Sequence, residues 1–122
     1  MAQNKIARFG PVAIANAATD VLNPADAGAG QVGYTPTASY IILRHIRIVN
    51  KTAGAVTFSA WLGATGASAA GTEVIGTGKS IPANDVYDWY GMMILNTVDF
   101  LVMLASAAAS LTFEAEGEIG LV

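Results

Sequence analysis

The stretch that decides the fold reads SYIILRHIRIVNKTAGAVTFSAWLG and spans residues 39–63. Two runs rich in β-branched and aromatic residues flank the short polar segment KTAG. This pattern predicts two β-strands joined by a turn, a β-hairpin. Asn50 and Gly54 border the turn, and both residue types adopt positive φ readily. We therefore expect these two residues to shape it.

The first run alternates imperfectly between apolar and polar residues. Successive side chains of a strand point to opposite faces, so strict alternation would place Arg44 on one face and His45 and Arg47 on the other. A strand with one face in water alternates more cleanly. Either a β-bulge shifts the register near Arg44 and His45, or both faces are partly covered. The second run is regular and separates Val56, Phe58, Ala60 and Leu62 from Thr57, Ser59 and Trp61.

The composition is poor in charge. The chain has 122 residues, of which 53% are apolar and 12% charged, with a net charge of −3. This length suits one domain with a substantial core, and the charged share is about half the usual one. We therefore expect partners, copies of the chain among them, to cover much of its surface. The weak acidity without a basic block argues against a nucleic-acid partner.

Several classes of function are disfavoured by what the sequence lacks. It has no cysteine for thiol chemistry and only one histidine. The most apolar stretch, residues 100–113, is shorter than the roughly 20 residues of a membrane helix, and the N-terminus does not resemble a signal peptide. The GAGQVG segment at 28–33 lacks the strand and helix that a dinucleotide site needs. We therefore predict no enzyme activity, no cofactor, no metal and no membrane contact.

Residues 1–36 differ in composition from the rest of the chain. We expect an extended N-terminal arm and loop there, with a strand over residues 6–14 broken at Gly10-Pro11. Residues 15–22 suit a helical turn or a short strand equally well. Gly, Pro and Ala dominate the segment, and such residues bury little apolar surface by themselves. Residues 37–122 form the predicted β-sandwich domain.

The remaining chain predicts further short strands. These cover residues 72–77, 86–95 and 98–104 and the segment from Leu111 onward, with a turn over 80–85. A helix across Leu101–Leu111 is the rival interpretation, because alanine favours helices. We disfavour it because strands flank the segment on both sides. Many short strands at regular spacing predict an all-β protein, an antiparallel β-sandwich of the jelly-roll subtype.

The last strand carries three carboxylates on one face, those of Glu114, Glu116 and Glu118. Carboxylates in such a row repel one another unless water or cations relieve them. Two interpretations remain open. The row is either solvated or paired with Arg44, His45 and Arg47 on a neighbouring strand or subunit. Asp85 and Asp88 could touch a calcium ion, but we expect them to cap a turn.

An aromatic cluster lies at residues 87–90. Alternation sends Tyr87 and Trp89 to one face and Asp88 and Tyr90 to the other. Such aromatics fill a core or a protein interface more often than they stack on sugar rings. We therefore predict a core or interface role for the cluster.

From residue 38 to 120 the chain resembles a family of small structural proteins of tailed-bacteriophage virions. The resemblance rests on strand and turn motifs rather than on catalytic signatures. These motifs are IRIVNKT at 46–52, VTFSAWLG at 56–63, AGTE at 70–73, IPAN at 81–84, DWYG at 88–91 and LTFEAEG at 111–117.

The resemblance implies a capsid decoration, or cement, protein that binds the major capsid protein and copies of itself as a homotrimer. Its location would be the capsid surface of the virion, after synthesis in the bacterial cytoplasm. A tail, collar or fibre-base component is one alternative, and a module that binds host glycans through Trp89 or Trp61 is another. The candidate interface residues are Phe9, Arg44, Arg47, Trp61, Tyr87, Trp89, Tyr90, Leu101, Met103, Glu114 and Glu116.

Overall fold

The computed structural model describes residues 4–24 and 40–120. All regular structure in these residues is β-strand. The strands are β1 (Asn4–Ile14), β2 (Thr19–Leu22), β3 (Tyr40–Asn50), β4 (Val56–Gly63), β5 (Lys79–Ile81), β6 (Asp85–Asn96), β7 (Phe100–Ala105) and β8 (Leu111–Gly120).

The eight strands form two four-stranded sheets. Sheet 1 has the order β1-β8-β3-β6, and sheet 2 has the order β2-β7-β4-β5. Every ladder between neighbouring strands is antiparallel. The predicted all-β antiparallel sandwich is therefore confirmed, and the helix considered across Leu101–Leu111 is not formed.

One apolar core fills the space between the two sheets, because each sheet turns an apolar face inward. Sheet 1 contributes Phe9 and Phe113, and sheet 2 contributes Phe58, all without exposed surface. The predicted alternation of β4 and β8 is confirmed, since Val56, Phe58 and Ala60 are buried and the β8 glutamates point away from the core. The other large side chains with almost no exposure are Ile14, Leu22, Ile41, Leu43, Ile46, Ile48, Ile81, Leu95 and Leu101.

The predicted β-hairpin is wrong, because β3 and β4 do not pair with each other. β3 lies between β8 and β6 in sheet 1, whereas β4 lies between β7 and β5 in sheet 2. Each strand has one apolar face, and both faces contribute to the same core from opposite sides. The connection at residues 51–55 is therefore a corner between sheets rather than a hairpin turn.

The side chain of Asn50 anchors this corner. Its Nδ2 donates to the carbonyl oxygens of Gly54 and Ile81 at 3.0 Å and of Pro82 at 3.1 Å. Its Oδ1 accepts the backbone N–H of Thr52 at 3.0 Å. Neither Asn50 nor Gly54 has the expected positive φ. Asn50 acts instead through a fully buried amide that joins the corner to the end of β5.

Residues 4–24 are not the extended arm that we expected, because they supply one strand to each sheet. β1 pairs with β8 along its length, with a register shift at Gly10-Pro11 where the sequence predicted a break. β2 pairs with β7, so residues 19–22 form the short strand rather than the helical turn. Phe9 gives β1 a large side chain to bury. Residues 25–36 of the predicted arm lie outside the described residues.

The order of strand and turn around residues 72–82 differs from the prediction. Residues 72–77 form an isolated bridge, between Glu73 and Trp61, and three backbone hydrogen bonds to Ala60 and Leu62 of β4, while the strand β5 forms at Lys79–Ile81. Val74 and Ile75 pack against the core. The predicted segment therefore lies along β4 without forming a continuous strand.

A β-bulge in β3 resolves the irregular alternation of that strand. Both of its ladders shift register between Leu43 and His45. Arg44 and His45 are consecutive, yet both lie on the outer face, while Leu43 and Ile46 on either side are buried. The bulge alternative was therefore correct. It gathers the basic residues of β3 on the face of sheet 1 that points away from the core.

Candidate functional site: the outer face of sheet 1

The outer face of sheet 1 holds all the ion pairs found within residues 4–24 and 40–120. β8 and β6 alternate without interruption, so every second side chain of each strand projects outward. β3 lies between them and contributes its bulge. The charged outward residues are Arg8 on β1, Glu114, Glu116 and Glu118 on β8, Arg44, His45 and Arg47 on β3, and Asp88 on β6.

His45 occupies the centre of this face and bridges the strands on both sides of β3. Its Nδ1 lies 2.7 Å from Oε1 of Glu116 on β8, and its Nε2 lies 2.7 Å from Oδ1 of Asp88 on β6. The imidazole also stacks on the ring of Tyr90, with 4.6 Å between the ring centroids. The three side chains therefore clamp the ring in position.

Two carboxylate partners favour the doubly protonated form of this imidazole. A carboxylate only accepts hydrogen bonds, so each ring nitrogen must carry a proton to bond both partners, and only the imidazolium does so. Burial by itself would lower the pKa of His45. The hydrogen bonds to Glu116 and Asp88 outweigh it, and the pKa of His45 is raised above its ordinary value of 6.5.

Asp88 is shared between two cations. Besides His45, it accepts a hydrogen bond from Nε of Arg47 at 2.9 Å. The bond from His45 and then the bond from Arg47 lower the pKa of the Asp88 carboxyl. Asp88 therefore stays ionised and links the bulge of β3 to β6. The sequence suggested a turn cap for Asp88, but the capping carboxylate is Asp85, which accepts the backbone N–H of Val86 at 2.8 Å.

Arg44 pairs with the far end of the glutamate row. Its Nη2 and Nε donate to the same oxygen of Glu118 at 3.0 and 3.2 Å. Its Nη1 also approaches the sulfur of Met92 at 3.9 Å. The predicted pairing of the β8 glutamates with β3 is therefore confirmed for Glu118 and Glu116, while Arg47 bonds to Asp88 instead.

Glu114 lies in register with Arg47, without a hydrogen bond between them in the described contacts. Partial burial and the neighbouring charge of Glu116 raise the pKa of the Glu114 carboxyl. One ligand atom each from His45, Glu114 and Glu116 lie within 4.8 Å of one another, a donor set that suits a divalent metal ion such as zinc. A metal ion would have to displace the His45 proton and break its short carboxylate bond. The geometry therefore favours an ion-pair network over a metal centre.

Apolar side chains border the charges at both edges of the sheet. Ile6 on β1 is 88% exposed, and Tyr90, Met92 and Ile94 on β6 are 71%, 61% and 47% exposed. Val86 on β6 extends the same stripe. Exposed contiguous apolar residues rimmed by polar groups are typical of interaction surfaces. The face thus combines internally paired charges with apolar margins.

The structure distributes the candidate interface residues between core and surface. Phe9, Leu101 and Met103 are fully buried in the core, because they lie on the inward faces of their strands. A partner cannot contact their side chains in the folded chain. Arg44, Arg47, Tyr90, Glu114 and Glu116 share the outer face of sheet 1. Their assignment to an interface stays a prediction.

The remaining three aromatic candidates are turned away from the outer face. Tyr87 and Trp89 pack against the core, as the predicted alternation requires, and Trp61 is 9% exposed. The ring of Trp89 also covers the Cα of Gly91. Trp61 is buried and Trp89 is half-buried against the core, which disfavours the stacking of a sugar on either ring.

Sequence reasoning missed the role of Asp88 and the exposed β6 stripe. The alternation that paired Asp88 with Tyr90, opposite the inward Tyr87 and Trp89, was the available signal. This alternation places Asp88 beside the basic residues only when β6 is known to pair with β3. Asp88 lies some 40 residues after those basic residues, so no local sequence pattern reveals the pairing.

No family model matches the chain, and no curated protein matches its sequence. In the part of the chain that the structure describes, no helix has the length and hydropathy needed to cross a bilayer.

Proposed function

We propose that this chain is a structural protein of a bacteriophage virion, a capsid decoration protein that acts by covering protein surface rather than by catalysis. The observation that carries the proposal is the outer face of sheet 1. Most of its charges are already paired with one another, and its margins expose apolar side chains. A partner that covers this face buries charges most of which keep their own counter-charges, and it removes the apolar margins from water.

The scarcity of charge supports the same function. A share of 12% charged residues gives a small isolated domain little to keep it soluble. Many of those charged side chains are also paired with one another in the network around His45. A protein whose surface is covered in an assembled shell does not need the missing charge. Each site would gain roughly 25 cal/mol per Å² of apolar area removed from water, repeated at every symmetric position.

The jelly-roll subtype is part of the proposal, and the strand pairing supports it. β1 pairs with β8, β2 with β7, β3 with β6 and β4 with β5. Such nested pairs arise when one long antiparallel ribbon is rolled into two sheets. Double-sheet jelly rolls of eight strands are common in viral capsid proteins. The major capsid protein as the partner rests on the resemblance of residues 38–120.

Cryo-electron microscopy of the intact particle that carries this chain tests the proposal. We expect density for the sandwich at regular positions over the shell and hundreds of copies per particle by quantitative mass spectrometry. Density confined to the neck or tail, with a handful of copies, would replace the decoration role with that of a tail or collar component. Absence from the particle would overturn both.

A further inference from the structure

We propose that the outer face of sheet 1 binds the same face of a second copy of this chain, about a twofold axis that runs parallel to the strands between β8 and β3. This inference rests on the proposed function only in that protein covers the face. It requires no capsid. Three features of the face are complementary to themselves: the order of charges across the sheet, the row in which each side chain lies and the apolar margins.

The sign of the charge alternates from strand to strand across the outer face. Among the side chains that the structure describes, β1 contributes one cation and β6 one anion at the two edges. In the middle, β8 contributes three carboxylates, and β3 contributes two guanidinium groups and the imidazolium of His45. Read in the order β1-β8-β3-β6, the charges are therefore one positive, three negative, three positive and one negative. The face as a whole is neutral.

This order is antisymmetric about the centre of the sheet, and such a pattern is complementary to itself. A twofold axis parallel to the strands exchanges β1 with β6 and β8 with β3. Every strand then meets a strand of opposite charge in the partner. A twofold axis is also the symmetry that brings a patch onto the same patch, whereas a threefold axis joins two different patches. Packed sheets keep their strands within about 30° of each other, which preserves the order of strands.

The central row of side chains across the sheet makes two kinds of contact with the second copy. Arg8, Glu116, His45 and Tyr90 lie in register across the four strands. The rotation brings Glu116 over the partner's His45 and places Arg8 over the ring of the partner's Tyr90. A guanidinium over a tyrosine ring is favourable, and more so when water is removed. Tyr90 is largely exposed and already stacks on His45 from one side.

The row on one side of the centre brings the apolar margin of each copy onto the apolar margin of the other. Ile6, Glu118, Ile42 and Ile94 lie in register across the sheet. Ile6 and Ile94 stand at opposite edges, and the rotation brings Ile6 of each copy onto the partner's Ile94. A single copy leaves Ile6 88% exposed. This match is independent of the charges and provides apolar burial at both ends of the interface.

The row on the other side of the centre provides the most specific test. Glu114, Arg47 and Asp88 lie in register. The rotation places Glu114 opposite the partner's Arg47, and it does so twice because the interface is symmetric. Glu114 then gains a guanidinium, whereas within its own chain Arg47 already bonds Asp88.

Charge reversal with exchange between copies tests the proposal. Sedimentation velocity of the full chain at low salt, over a concentration series up to about 1 mM, measures the dissociation constant of a dimer. We expect Arg47→Glu and Glu114→Arg each to raise that constant by at least tenfold, because like charges then face each other twice. We expect an equimolar mixture of the two variants to form heterodimers with near wild-type affinity, since both facing pairs are then opposite in sign.

Lys79→Glu is the matched control. It makes the same charge change as Arg47→Glu at an exposed position on β5, which belongs to sheet 2 and not to the outer face of sheet 1. We expect it to leave the dissociation constant unchanged, and circular dichroism verifies that every variant is folded. Rescue in the mixture cannot arise from effects within one chain, because neither variant carries both changes.

Two results would overturn this inference. One is a monomeric wild-type chain throughout the concentration series. The other is a dimer whose dissociation constant changes with neither charge reversal, or whose two variants do not form heterodimers in the mixture. Either outcome would assign association to another surface, such as the open edge of β6. A rescued dimer that is absent from particles would instead overturn the proposed function alone. A monomer that still decorates shells would overturn the dimer alone.

Discussion

Nδ1 of His45 lies 2.7 Å from Oε1 of Glu116, across the ladder that joins β3 to β8. With Asp88 at the same distance from Nε2, the folded chain favours the charged form of the ring, which has lost most of its contact with water. In the unfolded chain the same ring has its ordinary pKa of about 6.5. Folding is therefore linked to the protonation of His45.

The free energy of unfolding should fall as the pH rises above 6.5. Because the folded pKa of His45 is raised, its contribution is fully present below the unfolded pKa and is lost as the pH rises through the folded pKa. We expect a loss of about 1 kcal/mol, the net contribution of a typical intramolecular hydrogen bond. Urea unfolding between pH 5.5 and pH 9 measures it.

His45→Gln is the control for this linkage. Glutamine keeps one donor but does not titrate, so the variant should be less stable than the wild type at pH 5.5 and nearly equal to it at pH 9. Equal pH slopes in the two proteins between these values would contradict the prediction. The measurement belongs in dilute solution, where a dimer does not contribute.

Gly117→Ala should strongly destabilise the sandwich. Gly117 pairs with Leu43 next to the bulge of β3, and a Cβ on Gly117 would overlap the carbonyl oxygen of Ile42. No side-chain rotation relieves a clash between a Cβ and the backbone, so the two central strands must separate. We expect a loss of at least 1–3 kcal/mol of unfolding free energy in chemical denaturation, the usual range for overpacking.

Gly54→Ala is the matched glycine control. Gly54 has open space around it and no positive φ, so the substitution should leave stability unchanged or raise it slightly by restricting the unfolded chain. If both alanine variants unfold at the same denaturant concentration, the tight contact between β8 and β3 is not a constraint on the fold.

The buried amide of Asn50 should contribute more to the free energy of unfolding than any ion pair on the surface. Asn50→Ala leaves the carbonyl oxygens of Ile81 and Pro82 without the donor that they share. An unmet buried polar group costs about 1–3 kcal/mol. We therefore expect a loss of about 2–4 kcal/mol in thermal or urea unfolding, from the same per-group cost.

Asn96→Ala provides the comparison for Asn50, because Asn96 is exposed at the end of β6. Its removal should change stability by less than about 0.5 kcal/mol. Asn50→Asp keeps the Oδ1 acceptor but replaces the Nδ2 donor with an oxygen that faces carbonyl oxygens, so it should destabilise at least as much as alanine does. A tolerated Asn50→Asp variant would show that the donated bonds do not anchor the corner.

Local alternation predicted which side chains point inward but not which strands meet. The faces of β4, β6 and β8 follow from period-two patterns that no bulge interrupts on those strands, so Phe113 and Glu116 were assigned to the correct faces. The hairpin failed because a polar turn between two strands fits a hairpin and a sheet-to-sheet corner equally well. The feature that separates them is the contact of Asn50 with Ile81, 31 residues away.

The site was predictable to a similar extent. The excess of carboxylates on β8 and of cations on β3 left two interpretations open, solvation or pairing, and Glu116 and Glu118 do pair with His45 and Arg44. The participation of Asp88 in the network could not be predicted, because it follows only when β6 is known to pair with β3 on the side opposite β8. No local signal carries that information, because the strand order is set by packing over the whole chain.

Deleting residues 2–15 should unfold the sandwich rather than remove a dispensable arm. β1 contributes Phe9 and Ile14 to the core and covers one edge of β8. Loss of a buried phenylalanine alone typically costs 3–5 kcal/mol, a large fraction of the stability of a domain of this size. We expect the truncated chain to show no cooperative thermal transition and to lose the dispersed amide signals of a folded protein in NMR spectra.

Phe9→Ala separates the side chain from the strand. It should lower the unfolding free energy by about 3–5 kcal/mol. Val98→Ala should have almost no effect, because Val98 is 77% exposed in the turn between β6 and β7. A truncated chain that unfolds cooperatively near the wild-type temperature would contradict the assignment of β1 to the sandwich. It would restore the interpretation of the N-terminal segment as an arm, because Phe9 would then not contribute to the core.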